Sequence, residues 1–346
     1  MEIIVPAAGL STRFPDMKPK YLLYDYKHEL MLANAIKPFI NKNYKINIGI
    51  LKEHDEKYHA KEFIHHELAK VKKINIIELE NPTTGPAHTV YEIIKQSKID
   101  YNSPIFIKDC DSFFNHEVTP GNYVCVSNIK DHSVLKKLSS KSFIITNNQG
   151  IITNIVEKSV VSDKFCVGGY KFNRAGDFID AFESIRSQDK ELFVSDVIQR
   201  CMHIGLVFTE KSVTDYVDVG TAEDWFEYND KPVIFCDIDG TIIKAQGRVG
   251  NNSYDNEPIP LTKNIEILLE KQKQGAQFIF VTARPKEYEK LTKSTLNKLG
   301  FRDYQLIIGV QNSKRILIND FNNANPYPRA EAINLPRDRD CLSDYL

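Results

Sequence analysis

Short runs of hydrophobic residues alternate with longer amphipathic stretches along the first two thirds of the chain. Such runs predict buried strands, and the stretches between them predict helices with one apolar face. The predicted strands span 2–6, 45–51, 73–79, 104–109, 123–127 and 166–172. The predicted helices span 29–41, 54–70, 86–97, 174–187 and 193–204. This alternation favours an α/β fold with mostly parallel strands, and successive strands within 140–172 add an antiparallel or mixed portion.

The pattern starts again at Lys231-Pro232, directly before the apolar run VIFCDIDG. Further strands are predicted at 233–240, 277–283, 304–308 and 315–319, and further helices at 261–274 and 286–299. A chain of 346 residues also exceeds the size at which one hydrophobic core keeps growing, which favours two domains. We therefore predict a larger α/β domain at 1–230 and a smaller one at 231–346.

Composition and charge narrow the classes of function. The net charge of −1 gives no overall basic field for binding nucleic acid. The chain begins with a strand rather than a signal peptide, and no apolar run is long enough to span a bilayer. Its six cysteines lie far apart without C-x-x-C spacing, which is typical of reduced core thiols. These features predict a cytoplasmic protein that binds neither nucleic acid nor membrane, and they leave its oligomeric state open.

The stretch AAGLSTRFPDMKPKYLL (7–23) forms a cationic, turn-rich loop directly after the first strand. A glycine-containing loop between a strand and a helix presents backbone N–H groups to phosphate oxygens. Gly9 permits close approach of a ligand, while Arg13 and Lys20 can neutralise a triphosphate and the charge of departing pyrophosphate. The loop therefore indicates a phosphate site, and a surface loop with solvated charges is the alternative.

These residues resemble the signature of the sugar-phosphate nucleotidyltransferases (pyrophosphorylases), and the resemblance extends to about residue 228. The family usually has glycine where this chain has Ser11, a mild departure because serine can donate its hydroxyl to a phosphate. The stretch NPTTGPAHTV resembles the family's base-recognition loop, and Glu157-Lys158 and Gly169-Tyr170 resemble its sugar-contacting elements. The residues that the resemblance places at nucleotide or sugar are Ala8, Gly9, Ser11, Gly85, Glu157, Lys158 and Gly169.

Two aspartates match the family's metal ligands. Asp111 lies in FIKDCDSFF and Asp218 in VDVGTAED. The resemblance implies that they hold Mg²⁺, which prefers carboxylate, water and phosphate oxygens. The implied reaction is nucleotidyl transfer to a sugar or polyol phosphate, with Lys20 at the acceptor or α-phosphate and Arg13 at the departing phosphates.

Asp109-Cys110-Asp111 is also a D-x-D, the metal motif of nucleotide-sugar-dependent glycosyltransferases. Such an enzyme is an alternative, although it has no need of a triphosphate loop. Otherwise Asp109 tunes the metal site or faces the substrate.

A second acidic motif follows the first strand of the smaller domain. VIFCDIDGTI places Asp237 and Asp239 two residues apart, so that one carboxylate can attack while the other moves protons. FIFVTARP supplies Thr282 after the next strand, and RILINDF supplies Asp320. An ordinary acidic turn is the alternative.

From 232 to 346 the chain resembles the haloacid dehalogenase superfamily, and its AEAINLPRD ending resembles small phosphatases encoded with capsule-polysaccharide genes. The resemblance makes Asp237 the nucleophile and Asp239 the general acid/base, with Thr282 at the phosphoryl oxygens. It places Mg²⁺ on Asp237, Asp320 and the backbone carbonyl of Asp239. The basic residue of the motif is Lys314, which we prefer, or Arg315. Neither stretch between the motifs is long enough for a large cap domain.

The two resemblances together predict a Rossmann-like, mixed-sheet nucleotidyltransferase domain followed by a capless haloacid-dehalogenase-like phosphatase domain. Such a bifunctional enzyme would make an activated sugar or polyol for a surface (capsular) polysaccharide. CTP is the preferred nucleotide, with UTP or dTTP next. The alternative to an enzyme is a non-catalytic regulator that binds a nucleotide sugar.

Overall fold

A computed structural model of the protein describes residues 1–40, 42–131, 138–187, 191–245, 254, 257–319 and 330–346. The chain divides into two compact units, Met1–Asn229 and Asp230–Leu346. One predicted metal ligand of the second unit, Asp320, lies outside the described residues.

The first unit is a mixed α/β structure. Its strands are β1 (Glu2–Pro6), β2 (Lys45–Leu51), β3 (Ile74–Leu79), β4 (Ile105–Lys108), β5 (Ser112–Asn115), β6 (Tyr123–Asn128), β7 (Phe143–Thr146), β8 (Ile152–Val156), β9 (Lys164–Phe172), β10 (Thr209–Ser212) and β11 (Thr214–Asp218). Its helices are α1 (Met31–Ile36), α2 (Lys52–Tyr58), α3 (Ala60–Glu67), α4 (Pro86–Gln96), α5 (Ala175–Ile185), α6 (Val194–His203) and α7 (Ala222–Asn229).

One large sheet organises this unit, with the strand order β10-β6-β9-β4-β1-β2-β3. Strands β4, β1, β2 and β3 are parallel, whereas β9 is antiparallel to both β4 and β6. Strands β7 and β8 extend the sheet beside β9, and β5 pairs with β11 in a separate antiparallel ribbon. The predicted mixed sheet is therefore confirmed.

Both faces of the sheet are buried, as the continuous apolar runs of its strands require. Alternate residues of β1 belong to different cores: Ile4 packs on one face, and Ile3 and Val5 pack on the other. In β4, Ile107 and Phe106 divide between the faces in the same way. The carboxyl ends of these parallel strands form the edge at which open α/β folds bind their ligands.

One predicted helix of this unit is divided in the structure. The stretch predicted as one helix at 54–70 is two helices, α2 and α3, because His59 adopts a left-handed conformation with φ of 52°. The Asp55 carboxylate accepts a hydrogen bond from the backbone of Lys61 (2.7 Å) and so satisfies a free N–H group of α3. The apolar periodicity runs through this junction, so the pattern alone did not show the break.

The second unit contains three parallel strands in the order β12-β13-β14. Its elements are β12 (Val233–Cys236), α8 (Thr262–Lys273), β13 (Gln277–Thr282), α9 (Glu289–Lys298) and β14 (Tyr304–Ile308). Its core includes Phe278, Phe280 and Phe301, all fully buried. None of the helices in the described ranges of either unit is long and apolar enough to cross a membrane.

The prediction of a strand at 315–319 is wrong. These residues form no strand, and Ile316 and Ile318 are 75% and 87% exposed. Apolar residues favour a strand where a pleated, half-buried surface receives them. The described part of the chain gives this segment no such surface.

We expect Phe208→Ala to lower the free energy of unfolding of the first unit by about 3–5 kcal/mol, because it removes a fully buried ring from the core. Phe208 packs edge-on against Phe172, with ring centroids 5.3 Å apart. Urea unfolding followed by the fluorescence of Trp225, the one tryptophan of the chain, measures the change. Phe226→Ala is the matched control, since Phe226 is 60% exposed and its loss should cost less than about 0.5 kcal/mol. Equal losses in both variants would contradict the assignment of the core.

Candidate active site

A cavity of about 690 Å³ opens in the first unit, lined in part by the loops that follow β1 and β4. Ligands in open α/β folds bind at the carboxyl ends of such strands. The sequence-predicted residues that line the cavity are Ala8, Gly9, Ser11, Arg13, Lys20, Gly85, Asp109, Asp111, Glu157, Lys158 and Asp218. Residues far apart in the chain are thus brought together at one place.

The loop after β1 has an open backbone near its start. A Cβ atom at Gly9 would meet no atom of the described residues within 4 Å, so a ligand can approach the main chain closely. Ser11 has a φ of 54°, in the left-handed region that favours glycine. Its hydroxyl accepts a hydrogen bond from the backbone N–H of Lys20 at 3.1 Å. Ser11 therefore ties the start of the loop to the lysine at its end.

Lys20 and Arg13 converge on Asp111. The Lys20 Nζ lies 2.5 Å from Asp111 Oδ2, and the Arg13 Nη2 lies 3.6 Å from the same oxygen. Burial opposes the charged form of Lys20, but the Asp111 carboxylate outweighs it and holds the pKa of Lys20 above its ordinary value. Burial likewise opposes the charge on Asp111, and the two cations hold the pKa of Asp111 below its ordinary value. Both side chains of the pair are therefore charged near neutral pH.

Asp218 reaches this pair through the ribbon of β5 and β11, whose register sets Asp218 opposite Ser112. A Cβ atom on Gly220 would lie 3.2 Å from Asp218 Oδ1 and 3.3 Å from Asp111 Oδ2. The two carboxylate oxygens are therefore at most about 6.5 Å apart, the sum of those distances. The Lys141 ammonium contacts Asp218 Oδ2 and donates to the Tyr216 hydroxyl at 2.9 Å.

The two aspartates fit a magnesium ion that substrate phosphates help to hold. Carboxylates are the hard oxygen ligands that Mg²⁺ prefers, and one or two of them suffice when phosphate oxygens and water complete the shell. Within the described ranges, no three His, Cys, Asp or Glu side chains form a group that could hold a metal ion by themselves. The donor set thus favours a cation that arrives with a phosphate ligand.

The other predicted contacts line the cavity near the start of α6. Glu157 Oε2 accepts hydrogen bonds from the hydroxyls of Ser142 and Ser195, the latter at 2.6 Å. Lys158 Nζ lies 4.2 Å from the ring centroid of Phe193. Gly85 has extended backbone, and a Cβ there would lie 2.7 Å from the Leu192 carbonyl oxygen. Glycine is therefore required where the predicted base loop packs on this segment.

Gly169 is not among the residues that line the cavity. It faces the opposite side of β9, where a Cβ would lie 2.8 Å from Phe114 and 2.9 Å from Cys125. Its neighbours Gly168 and Tyr170 line the cavity instead. Close packing thus accounts for glycine at this position.

In the second unit, Asp237 follows β12 and pairs with an arginine. Arg315 Nη2 donates to Asp237 Oδ1 at 3.0 Å, whereas Lys314 is exposed. The structure therefore puts Arg315, not the preferred Lys314, beside this carboxylate. Burial raises the pKa of Asp237 above its ordinary value, although Arg315 pulls it down.

Asp239 is held by Arg284 through two hydrogen bonds, from Nε to Oδ2 at 2.9 Å and from Nη2 to Oδ1 at 2.7 Å. Thr282 Oγ1 lies 3.4 Å from Oδ2, so Thr282 and Asp239 do come together. Sequence reasoning missed Arg284 as well as Lys141. Arg284 had a signal, since it follows Thr282 by two residues in the quoted motif, but Lys141 belongs to none of the motifs.

No protein-family model matches the chain, and no curated protein matches it in sequence. In structure it is similar to the nucleoside-diphosphate-sugar pyrophosphorylase from Vibrio cholerae RC9, with a TM-score of 0.56 and 21% identity, over 65% of this chain and 98% of that chain. It is also similar to the inositol-1-phosphate CTP transferase from T. maritima, with a TM-score of 0.53 and 14% identity, over 64% of this chain and 90% of that chain.

At these identities the likeness is one of fold. Each of these structures covers about two thirds of the chain, and residues 1–229 make up about the same fraction of it. The chain thus contains the mixed α/β fold on which those sugar-phosphate nucleotidyltransferases are built.

Arg284→Met should lower the local stability of the second unit by about 3–5 kcal/mol, because it leaves the partly buried Asp239 carboxylate without its partner. Amide hydrogen exchange of the full-length protein, read on peptides from α8 and α9, measures the free energy of opening of this unit. Lys273→Met is the control, because it removes only an exposed ion pair with Glu270. It should change the free energy of opening by less than about 0.5 kcal/mol. Unchanged protection in Arg284→Met would show that the ion pair contributes nothing to the fold.

Proposed function

We propose that residues 1–229 transfer a nucleotidyl group from a nucleoside triphosphate to the phosphate of a sugar or polyol phosphate. The observation that carries the proposal is the meeting of Lys20 and Arg13 with Asp111, and of Asp111 with Asp218, in one cavity behind an open glycine loop. The fold likeness to a pyrophosphorylase and a CTP transferase supports it.

In this reaction a phosphate oxygen of the acceptor forms a bond to the α-phosphorus, and the bond from that phosphorus to the oxygen of the β-phosphate breaks. Pyrophosphate leaves with the bonding electrons, and the main requirements are in-line positioning and charge neutralisation. The backbone N–H groups around Gly9 would bind the triphosphate, and Arg13 would take the departing phosphates. Lys20, kept charged beside Asp111, would stabilise charge at the reacting phosphates.

Mg²⁺, when bound, would be held by Asp111 and Asp218 and would reduce the negative charge of the phosphates. The two aspartates are already held by Lys20 and Lys141, so their positions are set by the protein. Glu157 and Lys158 would contact the acceptor. CTP is the nucleotide that we prefer, followed by UTP and dTTP, and the T. maritima neighbour is a CTP transferase.

We propose further that residues 230–346 hydrolyse a phosphate monoester. A carboxylate oxygen of Asp237 would attack phosphorus while the ester bond breaks, Asp239 would give a proton to the leaving alcohol, and water would then hydrolyse the aspartyl phosphate. Arg315 at Asp237, and Thr282 with Arg284 at Asp239, support this arrangement. The metal set of Asp237, Asp320 and the Asp239 carbonyl stays a prediction. Both activities together fit synthesis of an activated sugar or polyol for a surface polysaccharide.

Pyrophosphate release tests the transferase directly. The full chain is mixed with Mg²⁺ and each of CTP, UTP and dTTP, together with glucose 1-phosphate, inositol 1-phosphate or glycerol 3-phosphate. We expect release with one nucleotide preferred, and Lys20→Ala should lower the turnover number by about 10²–10³-fold. Lys18→Ala is the matched control, because Lys18 is an exposed residue of the same loop and does not line the cavity. Full turnover in Lys20→Ala would refute the role of Lys20.

The two proposed activities should be separable. Asp237→Asn should abolish phosphate release from p-nitrophenyl phosphate and change nucleotidyl transfer by less than about twofold, since the described residues of the two sites have no member in common. Asp111→Asn should have the opposite effects. Both reactions are measured for both variants, and a hundredfold loss of transfer in Asp237→Asn would mean that the sites are not independent.

A further inference from the structure

Asp109 places a carboxylate in the cavity to which no described residue donates a hydrogen bond. It directly follows β4, and its backbone N–H donates to the Gly168 carbonyl at 2.9 Å. Its side chain lines the cavity, two residues from Asp111. Within the described ranges, no side chain or backbone group donates a hydrogen bond to this carboxylate.

The nearby cations are engaged elsewhere. Lys108 is fully buried, and its three donors go to the carbonyls of Asp109 (2.7 Å) and Ser112 (2.6 Å) and to the Ser112 hydroxyl (2.9 Å). The Lys20 Nζ pairs with Asp111. The polar network beneath Asp109 therefore fixes its backbone and leaves its carboxylate oxygens for the cavity.

The facing strand β9 makes room for this side chain. Gly168 has a φ of 82°, and a Cβ there would lie 2.6 Å from Asp109 Oδ2 and 2.8 Å from Asp109 Cβ. Backbone atoms of a glycine therefore form the wall against which the carboxylate rests. A carboxylate held in a fitted position at the wall of a cavity can accept hydrogen bonds from a bound ligand.

Glu157 is a second carboxylate of the same cavity, and one of its two oxygens receives no hydrogen bond from the described residues. Both serine hydroxyls that bind Glu157 donate to Oε2, and no described group donates to Oε1. Asp109 and Glu157 thus both present acceptor-only oxygens to the cavity. Such a pair attracts neutral donors and repels anionic groups.

We propose that Asp109 binds hydroxyl groups of the acceptor and selects acceptors that carry hydroxyls, rather than a carboxylate, beside their phosphate. This inference rests on the proposed transferase function and assigns Asp109 to the acceptor rather than to the metal. Charged hydrogen bonds of this kind account for about 10- to 100-fold in affinity.

Direct binding tests the proposal without relying on turnover. Calorimetry of the full chain is performed with glucose 1-phosphate, inositol 1-phosphate, glycerol 3-phosphate and 3-phosphoglycerate, and separately with CTP and Mg²⁺. Glycerol 3-phosphate and 3-phosphoglycerate form a matched pair, because a hydroxymethyl group in the first stands where the second has a carboxylate. We expect the hydroxyl-bearing phosphates to bind and 3-phosphoglycerate to bind more weakly than glycerol 3-phosphate.

Asp109→Ala should weaken the binding of the best hydroxyl-bearing phosphate by about 10- to 100-fold and change CTP binding by less than twofold. Asp109→Asn keeps the size of the side chain and should bind 3-phosphoglycerate more tightly than the unaltered protein does, because a repulsive charge is gone. A variant that was merely misfolded would not gain affinity. Asp303→Asn, an exposed position with a left-handed φ of 48° that asparagine tolerates, controls for the charge change.

Three results would overturn the inference. None of the named phosphates binds, or Asp109→Ala leaves the affinities for these phosphates unchanged, or Asp109→Ala weakens the binding of CTP with Mg²⁺ as much as the binding of the acceptor. The last result would make Asp109 a metal ligand. Failure of the transferase function is a separate observation, the absence of pyrophosphate release by the unaltered protein.

Discussion

Balance of charge at the edge of the first sheet is the constraint on which the candidate site depends. Asp111 and Asp218 bring two carboxylates within about 6.5 Å, an arrangement that repulsion would oppose if the charges were alone. A lysine meets each of them, Lys20 at Asp111 and Lys141 at Asp218. The loop after β1 supplies Lys20, and the ribbon of β5 and β11 supplies Asp218.

The sequence allowed us to predict those candidate site residues that belong to short local motifs. The glycine-containing loop and Asp111 come soon after buried strands, so their position at the sheet edge could be predicted from the hydrophobic pattern. Lys141 could not be found in this way, because only the folded chain brings it to Asp218, 77 positions away. The ribbon that positions Asp218 was also missed, since β5 and β11 are short and lie apart from the main sheet.

In the second unit the sequence predicted where the acids lie but not how they are held. Asp237 and Asp239 each pair with an arginine, Arg315 and Arg284, and neither pairing follows from spacing alone. The predicted strand at 315–319 failed for a related reason: an apolar run specifies a strand only together with the surface that covers it. The pattern of apolar residues predicts the core, whereas the ion pairs depend on which loops the folded chain brings into contact.

The contact between Gly168 and Asp109 also restricts how the chain can evolve. Any side chain at 168 would occupy the space of the Asp109 carboxylate, and the positive φ at that position adds strain for every residue other than glycine. A lineage could therefore replace Gly168 only if the side chain at 109 were lost or the backbone of the two strands moved apart. The two positions, far apart in sequence, should be inherited as a pair, and only glycine at 109 would remove the clash in full, because a Cβ at 168 would also lie 2.8 Å from Asp109 Cβ.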